Sequence, residues 1–387
     1  MFITIVLFIV VLSVMVFFHE LGHYGSARYF RVKTDEFGFG LPPRLCGWKK
    51  VNGKRKFFWG NEDVDKIKSE DTIWSLNWIP LGGFVKIKGE NGEDKTASDS
   101  FTKKKIWQRM IMISAGVIMN VFLTFICLSV VYMIGAPEPI SDAEIGQTQN
   151  YQIQVLEVFP NTPADKAGLQ MGDALLSLDG QHLQKISQVQ EFITQHGQSE
   201  INLVVDRFGE QKNFNIKPEY LSANDKIALG VSLIASGKVK YPFFTAIWKG
   251  FKATGYMFVA ILQGFCQIFV RLFQHQPIGV DVAGPIGIAA MTGQVAKLGF
   301  VYILNFMALL SMNLAIINFL PLPALDGGRF LFLIVEKLRG KSANEKVEQI
   351  VHTAGFFLLM GLFVFVTGKD LFKYKDSLIN IWNNFIH

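Results

Sequence analysis

The pentapeptide His19-Glu20-Leu21-Gly22-His23 closes an apolar run that opens at Met1, and residues 1–18 hold no Asp, Glu, Lys or Arg. At 1.5 Å per residue a helix over 1–23 measures roughly 34 Å, enough for a hydrocarbon core of about 30 Å. Such a run commits the chain to a membrane, with ionisable groups inside its first span. A charged side chain at mid-bilayer costs about 2.5–3.5 kcal/mol on insertion scales, so two histidines and a glutamate there point to a function. HExxH on a helix is a zinc-peptidase motif: histidines four apart share one face, with the glutamate beside them. In that reading His19 and His23 bind Zn2+, and Glu20 is the general base for water at an open coordination position. The plainer reading is two structural histidines in a packed helix.

Composition agrees with a membrane protein: 50% of residues are hydrophobic and 18% charged, against about 25% charged in soluble domains. The net charge of +6 reads as loop bias rather than nucleic-acid binding, since no zinc knuckle, helix-turn-helix or base-reading helix stands out. No Walker-type loop suggests nucleotide use. Cys46, Cys127 and Cys266 are far apart and no CxxC exists, which argues against disulfides and a cysteine metal site. The N-terminus lacks the basic region and cleavage site of a signal peptide.

Four runs, about 1–23, 108–135, 301–320 and 350–367, are expected to span the bilayer. A fifth, 256–272, reads as an amphipathic helix on the membrane surface. With four spans, the basic clusters Arg28–Lys56, Lys103–Arg109 and Arg329–Lys346 fall on one side, which the positive-inside rule makes cytoplasmic. The expected fold class is therefore a multi-span α-helical membrane protein of four transmembrane helices. Its segments are a first span (1–24), a cytoplasmic part with a membrane-associated β-hairpin (25–105), a second span (106–136) and a compact extracytoplasmic domain (137–230). Amphipathic helices and a connector (231–300), a third span (301–326), a cytoplasmic loop (327–348), a fourth span (349–368) and an extracytoplasmic tail (369–387) follow.

Within the second span Ser114, Gly116, Asn120 and Thr124 form a small, polar stripe suited to close helix packing. Residues 78–88 read as strands around Gly82 and Gly83, apolar for a loop. The hairpin packs on its own small core, or dips toward the membrane and holds an extended substrate by strand pairing. Residues 89–100 read as a polar linker. In 151–219, strand signals at Gln154–Val158, Gly172–Gly180, Glu200–Asp206 and Gln211–Lys217 alternate with helices at Asn161–Leu169 and Val189–Gln195. That order resembles a single PDZ domain, which would take a peptide by strand addition or serve only as a steric gate.

A catalytic metal site needs a third protein ligand. Asp35 and Glu36 are near in sequence. Asp326 is distant but ends the third span on the side of His23. Pro321 and Pro323 break that helix, and Gly327 and Gly328 permit close backbone approach. The plainer reading is a surface turn with Asp326 capping the next helix.

Together, HExxH in the first span, Asn318-Phe319-Leu320-Pro321-Leu322-Pro323-Ala324-Leu325-Asp326-Gly327 in a later one, and the PDZ-like segment between them resemble the site-2 protease family. More closely, the chain is similar to its bacterial RseP-type intramembrane zinc metalloproteases over nearly the whole length. The resemblance implies that His19, His23 and Asp326 bind Zn2+ and that Glu20 activates water. It implies substrate contacts at Asn318, Asn120, Pro321 and Pro323, and along Gly82, Gly83, Phe84 and Val85 of a re-entrant hairpin. Implied substrates are single-pass membrane proteins such as anti-sigma factors, usually trimmed first by another protease, and remnant signal peptides. The implied location is the bacterial cytoplasmic (inner) membrane, in contact with its lipids. Three features depart from the family pattern. Val117 stands where it has proline, one PDZ-like domain stands where well-known relatives have two, and 48–71 is an elaboration.

Two other functions fit the residues less fully. One is a membrane-anchored zinc peptidase acting on soluble peptides, with Asp35 or Glu36 completing the site. The other is a non-enzymatic PDZ scaffold with structural zinc, which has no need of Glu20.

Overall fold

The computed structural model describes residues 2–51, 53–60, 71–90, 97–139, 151–159, 162–182, 184–197, 199–207, 209–221, 226–274, 284–341 and 345–386. Parts of the expected linker 89–100 and of the elaboration 48–71 lie outside them. In chain order the elements are α1 (Phe2–Tyr29), β1 (Thr34–Val51), β2 (Lys54–Trp59), β3 (Ile73–Ile87), α2 (Ile106–Ile134), β4 (Ala136–Pro139) and β5 (Gln152–Val158). Then come α3 (Pro163–Ala167), β6 (Ala174–Leu178), α4 (Ile186–His196), β7 (Ile201–Arg207), β8 (Glu210–Ile216), β9 (Glu219–Leu221), β10 (Lys226–Ala228) and β11 (Val231–Val239). The last are α5 (Phe243–Phe273), α6 (Pro285–Leu298), α7 (Phe300–Phe319), α8 (Asp326–Arg339) and α9 (Glu345–Ile386).

The chain divides into two compact units: Met1–Leu128 with Phe251–Gly293 and Leu304–His387, and Ser129–Gly250 with Gln294–Ile303. Helices α1, α2, α5, α7 and α9 are long and apolar enough to cross a membrane, five where four spans are expected. In α5 the polar residues Lys249, Lys252, Gln263, Gln267 and Arg271 recur at helical spacing along one stripe, as in helices that lie at an interface.

In the first unit the expected polar stripe of α2 is a helix–helix seam. Thr124 Oγ1 donates to the Ala308 carbonyl (3.1 Å) and Ser311 Oγ to the Asn120 carbonyl (2.9 Å), joining α2 to α7. Such bonds supply specificity where lipid removes the hydrophobic drive between helices. At Gly22 of α1 a Cβ would collide with the Ala115 carbonyl of α2, so these backbones touch. Ala27, Val32, Ile87, Phe101, Met112, Ile113 and Leu333 form a buried cluster from α1, β3, α2 and α8. Arg109 reaches Glu336 at 2.5 Å, and Arg329 pairs with Glu90.

Strands β1 and β3 each run past two neighbours. The register gives the order β2, 44–51, 73–79, 34–41, 83–87. The sheet packs on α1 through aromatic rings: Phe39 stacks on Phe17 (centroids 5.1 Å apart), and Phe37 and Trp74 meet Tyr24 (5.7 and 5.3 Å). The expected hairpin at 78–88 is thus one corner of a larger sheet.

The second unit is a six-stranded sheet in the order β4-β11-β5-β6-β7-β8. Ile153, Leu178, Val189, Ile201, Leu203 and Val205 are the centre of its core. The expected Asp-Gly turn is present, with Asp179 and Gly180 both at positive φ (45° and 79°). Arg207 makes a bidentate pair with buried Asp173 (2.6 Å to each oxygen). Lys249, Tyr241 and Glu138 form a hydrogen-bonded triad.

Three expected limits move. The sheet extends through β11, past the limit of 230, because 231–239 pair with β5 and β4. The expected loop 327–348 is largely helix α8, which buries Gly327, Gly328 and Leu333 and exposes Lys337 and Arg339 in its last turn. Helix α9 continues to Ile386, beyond the expected end of the fourth span at 368.

Candidate active site

His19 and His23 lie one turn apart on α1, nearer its C-terminal end. Their Nε2 atoms are 3.2 Å apart. Asp326 Oδ2 lies 3.2 Å from His19 Nε2 and 3.3 Å from His23 Nε2. That oxygen is buried, yet aligned in a hydrogen bond with neither ring. The three lone-pair atoms form a nearly equilateral triangle. Three tetrahedral ligands at about 2.0–2.2 Å from one ion stand roughly 3.3–3.5 Å apart, so the donor set fits a divalent ion such as zinc. No other group of three His, Cys, Asp or Glu side chains among the described residues is arranged to hold a metal.

The surroundings orient these ligands. His23 Nδ1 lies 2.9 Å from the Met112 carbonyl of α2, so Nδ1 carries the proton and Nε2 is left free to coordinate. His19 Nδ1 lies 3.3 Å from the Asn120 side-chain amide. Asn120 is fully buried and its Oδ1 has no other partner. With the amide turned so that Oδ1 accepts from His19 Nδ1–H, both atoms are satisfied and His19 Nε2 also faces the ion. One turn back on α2, a Cβ on Gly116 would sit 2.9 Å from His19 Nε2 and strike His23 Nε2. Gly116 and Asn120, four apart, therefore line one face of α2 beneath the donors. The sequence marks both as packing residues and, by family likeness, Asn120 as a substrate contact near the active site; the fold turns both toward the histidines.

Asp326 is the first residue of α8, and Leu325 occupies the N-cap position. It is turned to the histidines rather than capping its helix. α7 ends at Phe319, and the Pro321–Pro323 turn folds the chain back on it. A Cβ at Gly327 would collide with the Leu320 and Phe319 carbonyls, and at Gly328 with the Leu322 carbonyl. Only glycines let α8 start so close to α7. Ala324 is held at φ 70°, and its N–H donates to His352 Nδ1 of α9 at 2.9 Å. His352 escaped the sequence reading because its partner is a backbone amide in a turn.

Glu20 stands beside the triangle, and no described side chain hydrogen-bonds its carboxyl. A Cβ on Gly83 would lie 3.7 Å from Glu20 Cγ and 3.3 Å from Val16, so the end of β3 borders the Glu20 side chain. Gly82 is at φ 82°. Phe84 pairs with Gly38 and Val85 with Phe37. Residues 83–87 pair on one side only, with 34–41, among the described residues. The Asn318 side chain has no hydrogen-bond partner among them either. Pro321 is exposed and Pro323 half-buried beside it. Glu36 is removed from the list of ligands: Arg44 binds it through Nε and Nη2 (3.0 and 2.6 Å), and Ser75 Oγ donates to it at 2.5 Å. Asp35 is 3.9 Å from Lys33 and outside the triangle.

Comparisons with known proteins agree with this geometry. A relative from Clostridium perfringens, named a zinc metalloprotease, is 30% identical over 359 residues, covering 93% of this chain and 96% of its own. Similarly named proteins from Fusobacterium nucleatum (29% identical; 96% of this chain, 99% of theirs) and Brucella suis (28%; 95% and 95%) align along nearly the full length. A solved PDZ domain of an SdrC-like protein from Listeria monocytogenes covers 21% of this chain and 85% of its own at 17% identity and a TM-score of 0.20, too low to assign a fold. Residues 7–59 and 61–362 match peptidase family M50. The chain belongs to that family, the site-2 proteases, and is a multi-span bacterial membrane protein with a metalloendopeptidase site.

Proposed function

We propose that the protein is a zinc endopeptidase that cuts single-pass membrane proteins within their transmembrane segments. The observation that carries this reading is the position of the ligand triangle. Two of its ligands and Glu20 lie inside an apolar helix, closed in by α2 and α8. When bound by His19, His23 and Asp326, zinc polarises a carbonyl and acidifies water. Glu20 would take a proton from the attacking water and pass it to the leaving amine.

The remaining roles follow from what a helical substrate demands. Its carbonyls are tied in i to i−4 bonds, and in lipid a freed amide costs several kcal/mol. The open edge of 83–87, beside Glu20, offers a strand partner for an unwound segment. The unpartnered Asn318 amide offers one more bond, and Pro321 and Pro323 shape that wall. Asn120 orients His19 instead of touching substrate. Anti-sigma factors and remnant signal peptides, trimmed first by another protease, are the substrate classes we assign by family likeness. The second unit has the element order of one PDZ domain and serves to capture or gate the trimmed end.

Four spans, with α5 on the surface, fit the metal site. Asp326 follows α7 directly and meets the C-terminal half of α1. Both helices must therefore run in the same direction through the membrane. α2 crosses once between them, so a lone further crossing by α5 would put Asp326 on the wrong side. The basic loops then make the active-site side cytoplasmic, with the N-terminus and the second unit outside the inner membrane.

The test is cleavage of a single-pass substrate by purified wild type and Glu20→Gln, with products mapped by mass and zinc quantified. We expect wild-type cuts inside the apolar segment, and none from a Glu20→Gln protein that keeps its zinc. Cuts confined to soluble parts of the substrate would favour the membrane-anchored peptidase and sink the intramembrane reading.

A further inference from the structure

The hairpin of β1 and β2 takes no part in the peptidase site, and its residues are layered. α1 runs beside the sheet and gives each cross-strand row a depth. Gly83 borders Val16 and Glu20, and Phe39 stacks on Phe17. That row continues through Leu76 and Cys46 to Trp59. Further along α1, at Tyr24, lie Phe37 and Trp74, and their row continues through Trp48 to Phe57. Two residues on, opposite Lys50, comes Arg55, whose guanidinium sits 4.9 Å over the Trp48 ring. Ring contacts put Arg55, Phe57, Trp59, Trp48 and Trp74 on one face of the sheet.

Trp59 and Phe57 are 67% and 56% exposed, although they lie level with a membrane-embedded stretch of α1. Lys50, Lys54, Arg55 and Lys56 are also exposed. No acidic residue occurs between Arg44 and Gly60. From the level of Glu20 outward the order is apolar, aromatic, cationic. A leaflet presents the matching order of acyl chains, interface and phosphates. β2 is also an edge strand, paired only with β1 among the described residues. Its outward amides need the water and phosphate oxygens that an interface supplies and hydrocarbon does not.

We propose that the β1–β2 hairpin is a binding site for anionic phospholipid headgroups in the leaflet entered by the C-terminal end of α1. Phe57 and Trp59 seat it at the acyl boundary. Lys50, Lys54, Arg55 and Lys56 hold the phosphates, with the Arg55 guanidinium held over the Trp48 ring. The site anchors the sheet whose opposite edge, 83–87, borders Glu20. It does not depend on the substrate class assigned above.

The test uses the full chain in lipid nanodiscs. Emission of Trp59, obtained as wild type minus Trp59→Phe, is quenched by brominated phosphatidylglycerol or brominated phosphatidylcholine at equal mole fraction. Brominated phosphatidylglycerol, the anionic lipid, should quench more strongly. The preference should vanish at high salt, where exposed charges are screened, and in the variant Lys54→Gln/Arg55→Gln/Lys56→Gln. The expected loss is roughly fivefold in lipid association for each cation removed. Equal quenching in wild type overturns the proposal, as does a preference that survives the triple substitution. Loss of the preference on adding inorganic phosphate at constant ionic strength would also overturn it, reassigning the site to free phosphate. The salt arm uses wild type alone, so the answer does not depend on the variant folding. Zinc content checks the fold of the variant.

Discussion

At Asn120 a single oxygen decides whether His19 presents Nε2 to the ion. Asn120→Leu fills the space without an acceptor, and should weaken zinc affinity about 10–100-fold, the usual effect of losing a histidine's outer partner. Asn120→Asp keeps an acceptor and should retain most of the affinity; competition with a chromophoric chelator measures both. His352 allows a similar comparison. His352→Ala leaves the Ala324 N–H, two residues before Asp326, without its partner. Losing a hydrogen bond of this kind costs about 0.5–1.5 kcal/mol, so the turn should loosen and zinc affinity fall a few-fold. His352→Asn places an acceptor near the Nδ1 position and should rescue it; equal losses in the two variants would refute the role. The chemistry-bearing residues were legible because HExxH and the Pro-Leu-Pro-Ala-Leu-Asp run have fixed local spacing. His352 was not, since a hydrogen bond to a backbone amide leaves no pattern in either segment.

The edge strand 83–87 begins beside Glu20, the proposed base, and its use is testable without touching a ligand. Val85→Pro removes a backbone donor and restricts the preceding residue. Turnover of a membrane substrate should fall at least tenfold while zinc stays bound; unchanged cleavage would remove strand pairing from the mechanism. The elements themselves were unequally readable. Long apolar helices announce themselves by length, and the strands of the second unit by alternation and turns. β2 and β11 passed unnoticed because a strand depends on its partner, and the partner of β11 lies far back in the chain, at β5. α8 is not legible as a helix because its many charges mask a short apolar stripe.

For the whole molecule, direction is the quantity at stake. The proposed four-span arrangement is supported by charge counting and by the metal triangle. One uses the loops, and the other requires that α1 and α7 run in parallel. In a cysteine-free background, Gln181→Cys should react with an impermeant thiol reagent on intact spheroplasts. Lys341→Cys should react only after permeabilisation. Labelling of both from outside would mean that α5 crosses. The ligand triangle carries one more consequence, for synthesis rather than catalysis. Its histidines enter the membrane with the first helix, while the aspartate arrives only after α7 has been inserted. A nascent chain that lacks α8 therefore carries Glu20 and two of the three ligand residues but no complete ion site. The peptidase stays dormant through its own biogenesis, and proteolytic competence becomes a late checkpoint that only a chain inserted through α8 can pass.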